Sequence, residues 1–256
     1  MPTAQSTANQ FQLQVDLRGV FRRNEAVDEF HYRHRVGEHV LFVGPTGRGK
    51  TTFASELLRQ PATMNTVVLS VKGRDPALSN LGKQVPVWPP QSRWSKFKWK
   101  FESKDKQIFR WEPEFKSEDD LKRAAQVTGN SLKWLWRQTG WTLYLPDLQM
   151  IADRGMMGLG KPVEAHLLTA RSRQTSMWLD AQAPRWIPRA AADQTSHVFV
   201  FRNRDRDVQK RLAEITGFDA RWFAQVVSQL KWHEIIWVDV RKDEAFLIKC
   251  PCKECR

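Results

Sequence analysis

The sequence predicts an α/β protein built in three layers around a central, mostly parallel sheet. Two observations carry this. Short continuous apolar runs recur along the chain, as expected for strands buried on both faces. Helical patterns separate several of them, and alternating strands and helices imply parallel pairing through crossover helices.

Taken in chain order, residues 11–37 read as short strands ahead of the core. Val40-Leu41-Phe42-Val43 is the first core strand. A glycine-rich loop follows, then a helix from Lys50 to about Arg59, with Phe53 paired to Leu57 and Ala54 to Leu58 at i,i+4 and Pro61 as its stop. The second run is Thr66-Val67-Val68-Leu69-Ser70-Val71. Residues 92–113 read as a basic hairpin insertion, in which Trp94, Phe97, Trp99 and Phe101 interleave with Lys96, Lys98 and Lys100. Ser117, with Asp120 three residues on, is the N-cap of a helix carrying Leu121, Ala124, Leu132 and Leu135, weakened at Gly129. Trp141-Thr142-Leu143-Tyr144-Leu145 is the third run. Pro162 fits the first turn of a helix reaching about Arg173. Ser176-Met177-Trp178-Leu179-Asp180 and His197-Val198-Phe199-Val200-Phe201 are further strands. A helix with Val208, Leu212 and Ile215 ends at Gly217. Residues 233–249 read as a closing hairpin that turns at Lys242-Asp243. With neither repeat nor linker, the 256 residues read as one domain with its core at about 38–218.

Lys and Arg number 41 against 28 Asp and Glu, a net charge of +13, which points to a polyanionic partner. The 12 Trp are expected mostly as core or interface anchors. No apolar run approaches the ~20 residues that span a bilayer. Residues 1–14 are polar and lack signal-peptide order, so the cytoplasm of a bacterium or an infected host cell is the expected location. The three cysteines, Cys250, Cys252 and Cys255, fall short of the four ligands usual for zinc. His233 or a second chain would have to complete such a site; the simpler reading is a tail of reduced thiols.

The sharpest signal is Gly44-Pro45-Thr46-Gly47-Arg48-Gly49-Lys50-Thr51, followed by Thr52. In the pattern Gly-x-x-x-x-Gly-Lys-Thr the glycines let backbone amides wrap phosphates, and the next helix adds its positive end. Lys50 is expected on the β- and γ-phosphates and Thr51 on Mg²⁺. Arg48 occupies a variable position, facing solvent or a neighbouring subunit. The nucleotide is read as ATP, with GTP the alternative.

Such a loop needs an acid at the end of a second strand. Leu143-Tyr144-Leu145-Pro146-Asp147 supplies one. Where many ATPases have Asp-Glu, the pair here is either Pro146-Asp147, making Asp147 the catalytic base, or Asp147-Leu148, making it the metal acid. Gln182, just past the strand ending at Asp180, is placed to contact the γ-phosphate or the attacking water. Arg171 and Arg173 end one helix, and Arg202, Arg204 and Arg206 follow the last core strand; any of them is a candidate to reach a neighbour's nucleotide.

These blocks together resemble the FtsK/HerA superfamily of DNA-pumping ATPases. The resemblance rests on the loop at 44–51, the acidic strand end at 143–149, Arg171 through Gln182-Ala183-Pro184, and His197 to Arg202. The third block is similar to the family's "Arg…Ala-Thr-Gln-Arg-Pro" segment. Val68-Leu69-Ser70-Val71-Lys72-Gly73 resembles its second strand, often Asp-Pro-Lys, with Ser70 in place of the Asp. It implies a RecA-like P-loop NTPase sheet, a homo-hexameric ring and ATP-driven movement of double-stranded DNA. It makes Gln182 the sensor and Arg171 or Arg202 the trans-acting arginine. The Asp-Glu pair is missing, and no extra DNA-reading domain or large N-terminal barrel fits the chain. A compact basic motor of this kind is most similar to a viral genome-packaging ATPase, with a portal or capsid vertex as partner; a mobile-element transfer ATPase is the neighbouring reading. The contrasting hypothesis is a nucleotide-dependent assembly switch with little hydrolysis. A small-molecule kinase would leave the basic excess unexplained.

Overall fold

A computed structural model describes residues 17–60, 65–85, 88–89, 107–114 and 116–250. Its strands are β1 (Leu17–Arg22), β2 (His39–Val43), β3 (Asn65–Leu69), β4 (Lys83–Gln84), β5 (Ile108–Trp111), β6 (Trp141–Leu145), β7 (Ser176–Ala181), β8 (Thr195–Phe201), β9 (Ile235–Asp239) and β10 (Glu244–Lys249). They form one sheet in the order β1-β10-β9-β8-β2-β7-β6-β3-β5-β4. From β8 to β4 every pairing is parallel. β9 joins β8 antiparallel, β10 joins β9 antiparallel, and β1 closes that edge parallel to β10. The expected three-layer α/β architecture and the closing hairpin are both present.

Because side chains alternate across a strand, each strand serves two cores. From β2, Val40 and Phe42 face α1 (Arg23–Arg33) and α2 (Lys50–Leu58), where they meet Phe30, Phe53 and Leu57 with Trp178, Phe199 and Trp237. Phe42 and Phe199 stack there with centroids 5.2 Å apart. Leu41 and Val43 face the other way. That core holds Leu132 of α3 (Glu118–Leu135), Leu167 of α5 (Gly160–Ala170), Leu212 of α7 (Arg206–Thr216) and Phe223 of α8 (Ala220–Gln229). Two short helices, α4 (Leu148–Ala152) and α6 (Arg189–Gln194), fill the same side. Each such large apolar side chain contributes roughly 1.5–3 kcal/mol by leaving water.

The caps read from sequence are in place. Asp120 Oδ2 accepts from Ser117 N at 2.8 Å, and Gly217 ends α7 at φ 79°. Two expectations are corrected. The segment 11–37 is not all strand: past residue 16 it is β1 and then α1, because Ala26, Val27 and Phe30 fall on one helical face and pack into the sheet. The 92–113 insertion does not extend to its stated end. Residues 108–111 form β5, a parallel strand between β3 and β4, and Phe109 and Trp111 are buried there. Residues 92–106, residues 11–16, Cys252 and Cys255 lie outside the described residues. Among the described residues no helix is long and apolar enough to cross a membrane.

Three histidines are buried neutral. His39 accepts Met177 N at Nδ1 (3.0 Å) and donates from Nε2 to Leu167 O (3.1 Å), so protonation would break the first bond. Burial lowers His39, His166 and His197 to about 4. Unfolded histidine binds its proton near 6.5, so these three withdraw stability as pH falls from about 6.5 to about 4. Asp180, raised by burial to about 7, works in the opposite direction over nearly the same range, and Asp147, also raised, adds to it. With these three imidazoles and His34, which burial also lowers, outweighing the carboxyls, Tm at pH 5 is expected to lie several degrees below that at pH 7, at about 2–4 °C per kcal/mol. Thermal melts across that range check it; a Tm that rises on acidification would contradict it.

Candidate nucleotide site

The loop 44–49 leaves the C-terminal end of β2 and enters α2. Gly47 and Gly49 have φ of 78° and 84°, the left-handed region that glycine adopts without strain. Gly44 is needed for a different reason. A Cβ there would stand 2.6 Å from Phe201 Cβ at the end of β8, while Gly44 N donates to Ala181 O at 3.1 Å. Gly44→Ala is therefore expected to cost about 1–3 kcal/mol by overpacking and to weaken nucleotide binding. A Tm unchanged from the parent would refute that close approach.

Past the loop lies a cavity of about 320 Å³. The loop and the start of α2 line it with Thr46, Gly47, Gly49, Lys50, Thr51 and Thr52, and neighbouring segments add Lys72, Asp75, Ala77, Pro146, Asp147, Asp180 and Gln182. The Lys50 side chain is buried, its Nζ donating to Pro45 O at 3.1 Å and standing 3.6 Å from Asp180 Oδ1. Thr51 Oγ1 donates to Asp180 Oδ2 at 3.4 Å. Asp180 is nearly inaccessible, and desolvation raises its carboxyl to about 7 against the opposing pull of Lys50. Asp147 follows β6 at the start of α4 and pairs with Lys72 Nζ. Burial raises its pKa, and Lys72 partly offsets this.

Of the residues read from sequence, Lys50, Thr51, Asp147 and Gln182 thus converge on one cavity. Pro184 begins a 3-10 turn directly beyond Gln182. Arg48 turns away and lays its guanidinium 3.7 Å from the Trp232 ring centroid, a contact within the same chain. Arg202 follows β8 close to the chain's own loop, where its charge opposes that of Arg48. Arg171 donates to Ser196 Oγ at 3.1 Å, near the start of β8. The loop lies at the other end of these strands, so some five residues at ~3.3 Å each separate Arg171 from it. Sequence reasoning missed Asp180, Lys72 and Asp75 as cavity residues. Lys72 lies just past the second apolar run, where spacing alone assigns it no role. Asp180 was visible as the polar end of a strand next to the loop strand.

Among the described residues no group of three or more His, Cys, Asp or Glu is arranged to hold a metal alone.

No protein-family model matches the sequence, and no curated protein matches it. Solved structures do. The genome packaging NTPase B204 from Sulfolobus turreted icosahedral virus 2, in complex with sulfate, is similar with TM-score 0.56 and 12% identity, covering 86% of this chain and 99% of that one. The same NTPase with AMPPCP gives TM-score 0.56 and 14% identity over 84% and 98%. VirB4 of Thermoanaerobacter pseudethanolicus gives TM-score 0.60 and 8% identity over 85% and 91%. At these identities what is shared is the course of the chain: this protein has the three-layer fold seen in these solved structures.

Proposed function

We propose that this chain hydrolyses ATP to move double-stranded DNA, most nearly as a viral genome-packaging motor, working as a homo-hexameric ring. The observation that carries the reading is the convergence of Lys50, Thr51, Asp147 and Gln182 on one cavity at the C-terminal edge of a parallel sheet. A fold shared with the packaging NTPase B204, which has been solved with ATP-gammaS and AMPPCP, supports it.

In this reading the amides of Thr46 through Thr52 and the N-terminus of α2 grip the phosphates. Lys50 neutralises charge on the β- and γ-oxygens, and Thr51 holds Mg²⁺, which supplies charge neutralisation when bound. Asp147, whose pKa burial raises above the usual aspartate value, orients and deprotonates the attacking water. Gln182 contacts the γ-phosphate. Arg171, turned from its own site, is the better placed of the two arginines to serve a neighbour; Arg202, beside its own loop, assists in cis. The +13 charge serves the DNA backbone, and a portal or capsid vertex is the expected docking partner.

One observation favours a second reading. Asp147 is engaged by Lys72, and Pro146 stands where a second acid would be expected. A chain so built would bind ATP and act as an assembly switch. Steady-state ATPase with and without duplex DNA separates the two. The motor reading expects DNA to stimulate turnover, and duplex affinity to fall about 10³-fold or more from 50 to 200 mM salt if six or more phosphates are contacted. Tight ATP binding without turnover, with or without DNA, would establish the switch instead.

A further inference from the structure

Strand parity shows that the loop helix receives its carboxylate from an unexpected strand. On β6 the side chains that face α1 and α2 are those of Thr142 and Tyr144; Tyr144 is fully buried in that core, and Leu143 and Leu145 face the opposite one. Continuing the alternation brings Pro146, not an acid, to the α2 side. Asp147 follows as the first cap of α4 and pairs with Lys72 just past the end of β3. On β7 the α2-facing positions are Ser176, Trp178 and Asp180, since Trp178 packs with Phe42 and Phe30 while Met177 and Leu179 belong to the other core. β7 is hydrogen-bonded directly to β2, with Asp180 opposite Phe42. Asp180 therefore projects under the first turn of α2. Its Oδ1 lies 3.6 Å from Lys50 Nζ and its Oδ2 3.4 Å from Thr51 Oγ1.

We propose that Asp180 of β7, and not Asp147 of β6, is the carboxylate that works with Thr51 on the magnesium ion of bound nucleotide. The functions of one acidic strand end are divided between two neighbouring strands. Asp180 orients the Thr51 hydroxyl and holds the metal side of the site, directly or through a water. Asp147, paired with Lys72, then serves the water that attacks. The choice between metal acid and base, open for Asp147 from sequence, is thereby settled in favour of the base. A buried carboxylate beside a buried lysine has a reason to be there in this arrangement: desolvating two charges is costly unless both are used. The inference rests on the nucleotide site proposed above.

The test reads nucleotide affinity, not turnover. A fluorescent ATP analogue is titrated into the full chain with excess Mg²⁺ and again with EDTA. The parent is expected to bind about tenfold or more tighter with the metal. Asp180→Asn should bind equally well in EDTA but lose that gain, whereas Asp147→Asn should keep it. Asp180→Ala, read by the additional Tm shift that Mg²⁺ gives over nucleotide alone, provides the same comparison if the Asn variant folds poorly. Retention of the full magnesium gain in both Asp180 variants, or its loss in Asp147→Asn, would overturn the assignment. A parent protein that binds no nucleotide in either buffer would instead remove the nucleotide site itself.

Discussion

Lys50→Ala is expected to lower ATP turnover by about 10²–10³-fold, the usual loss when one preorganised donor to a developing anion is removed. The effect should be large because the Lys50 side chain is buried at the loop and held by Pro45 O, so no mobile surface cation replaces it. The fold should survive. Removing Lys50 takes away one partner of Asp180, whose carboxyl already sits at about 7 and can be neutral at little cost. Steady-state phosphate release, with a thermal melt as control, checks both halves. Turnover within threefold of the parent would mean that the lysine does not touch the reacting phosphates.

Asp147→Asn should be as severe on turnover and nearly silent on binding. A general base typically contributes about 10²–10⁴-fold, and Asp147 lines the cavity with its pKa raised by burial. ATP affinity should stay within a factor of about three, since the amides of the loop and Lys50 are untouched. Its pair with Lys72, a side chain 47% exposed, is worth at most about 1 kcal/mol, so stability should barely change. Normal turnover in this variant would shift the catalytic base elsewhere, with Asp180 the first candidate.

Much of the core was legible because it is written in local chemistry. The β2 strand, the loop and α2 follow one another within twenty residues, and Ser117 and Gly217 mark helix ends by their own hydrogen-bonding and φ preferences. What stayed hidden depends on distant pairing. β5 looks like part of a basic insertion, and only its seat between β3 and β4 makes Phe109 and Trp111 core residues. α1 carries three buried apolar residues among eight other, mostly polar ones, so its helical face emerges only against Trp178 and Phe199. The site divides the same way. Lys50 and Thr51 announce themselves by spacing, and Gln182 by its position after a strand. Asp180 does not, because a strand-end Asp is ordinary until the order β2-β7-β6 sets it against Thr51. Arg171 illustrates the converse: its place in a family-like block says nothing of which end of the sheet it occupies, and it sits at the end away from the loop.

The central claim is that the loop from Gly44 to Thr51 grips a triphosphate. Calorimetric titration of the purified chain with ATP and Mg²⁺ tests it most directly. Saturable binding of one nucleotide per chain, lost in Lys50→Ala, is the predicted result. A folded parent protein that takes up no heat and no nucleotide would contradict it.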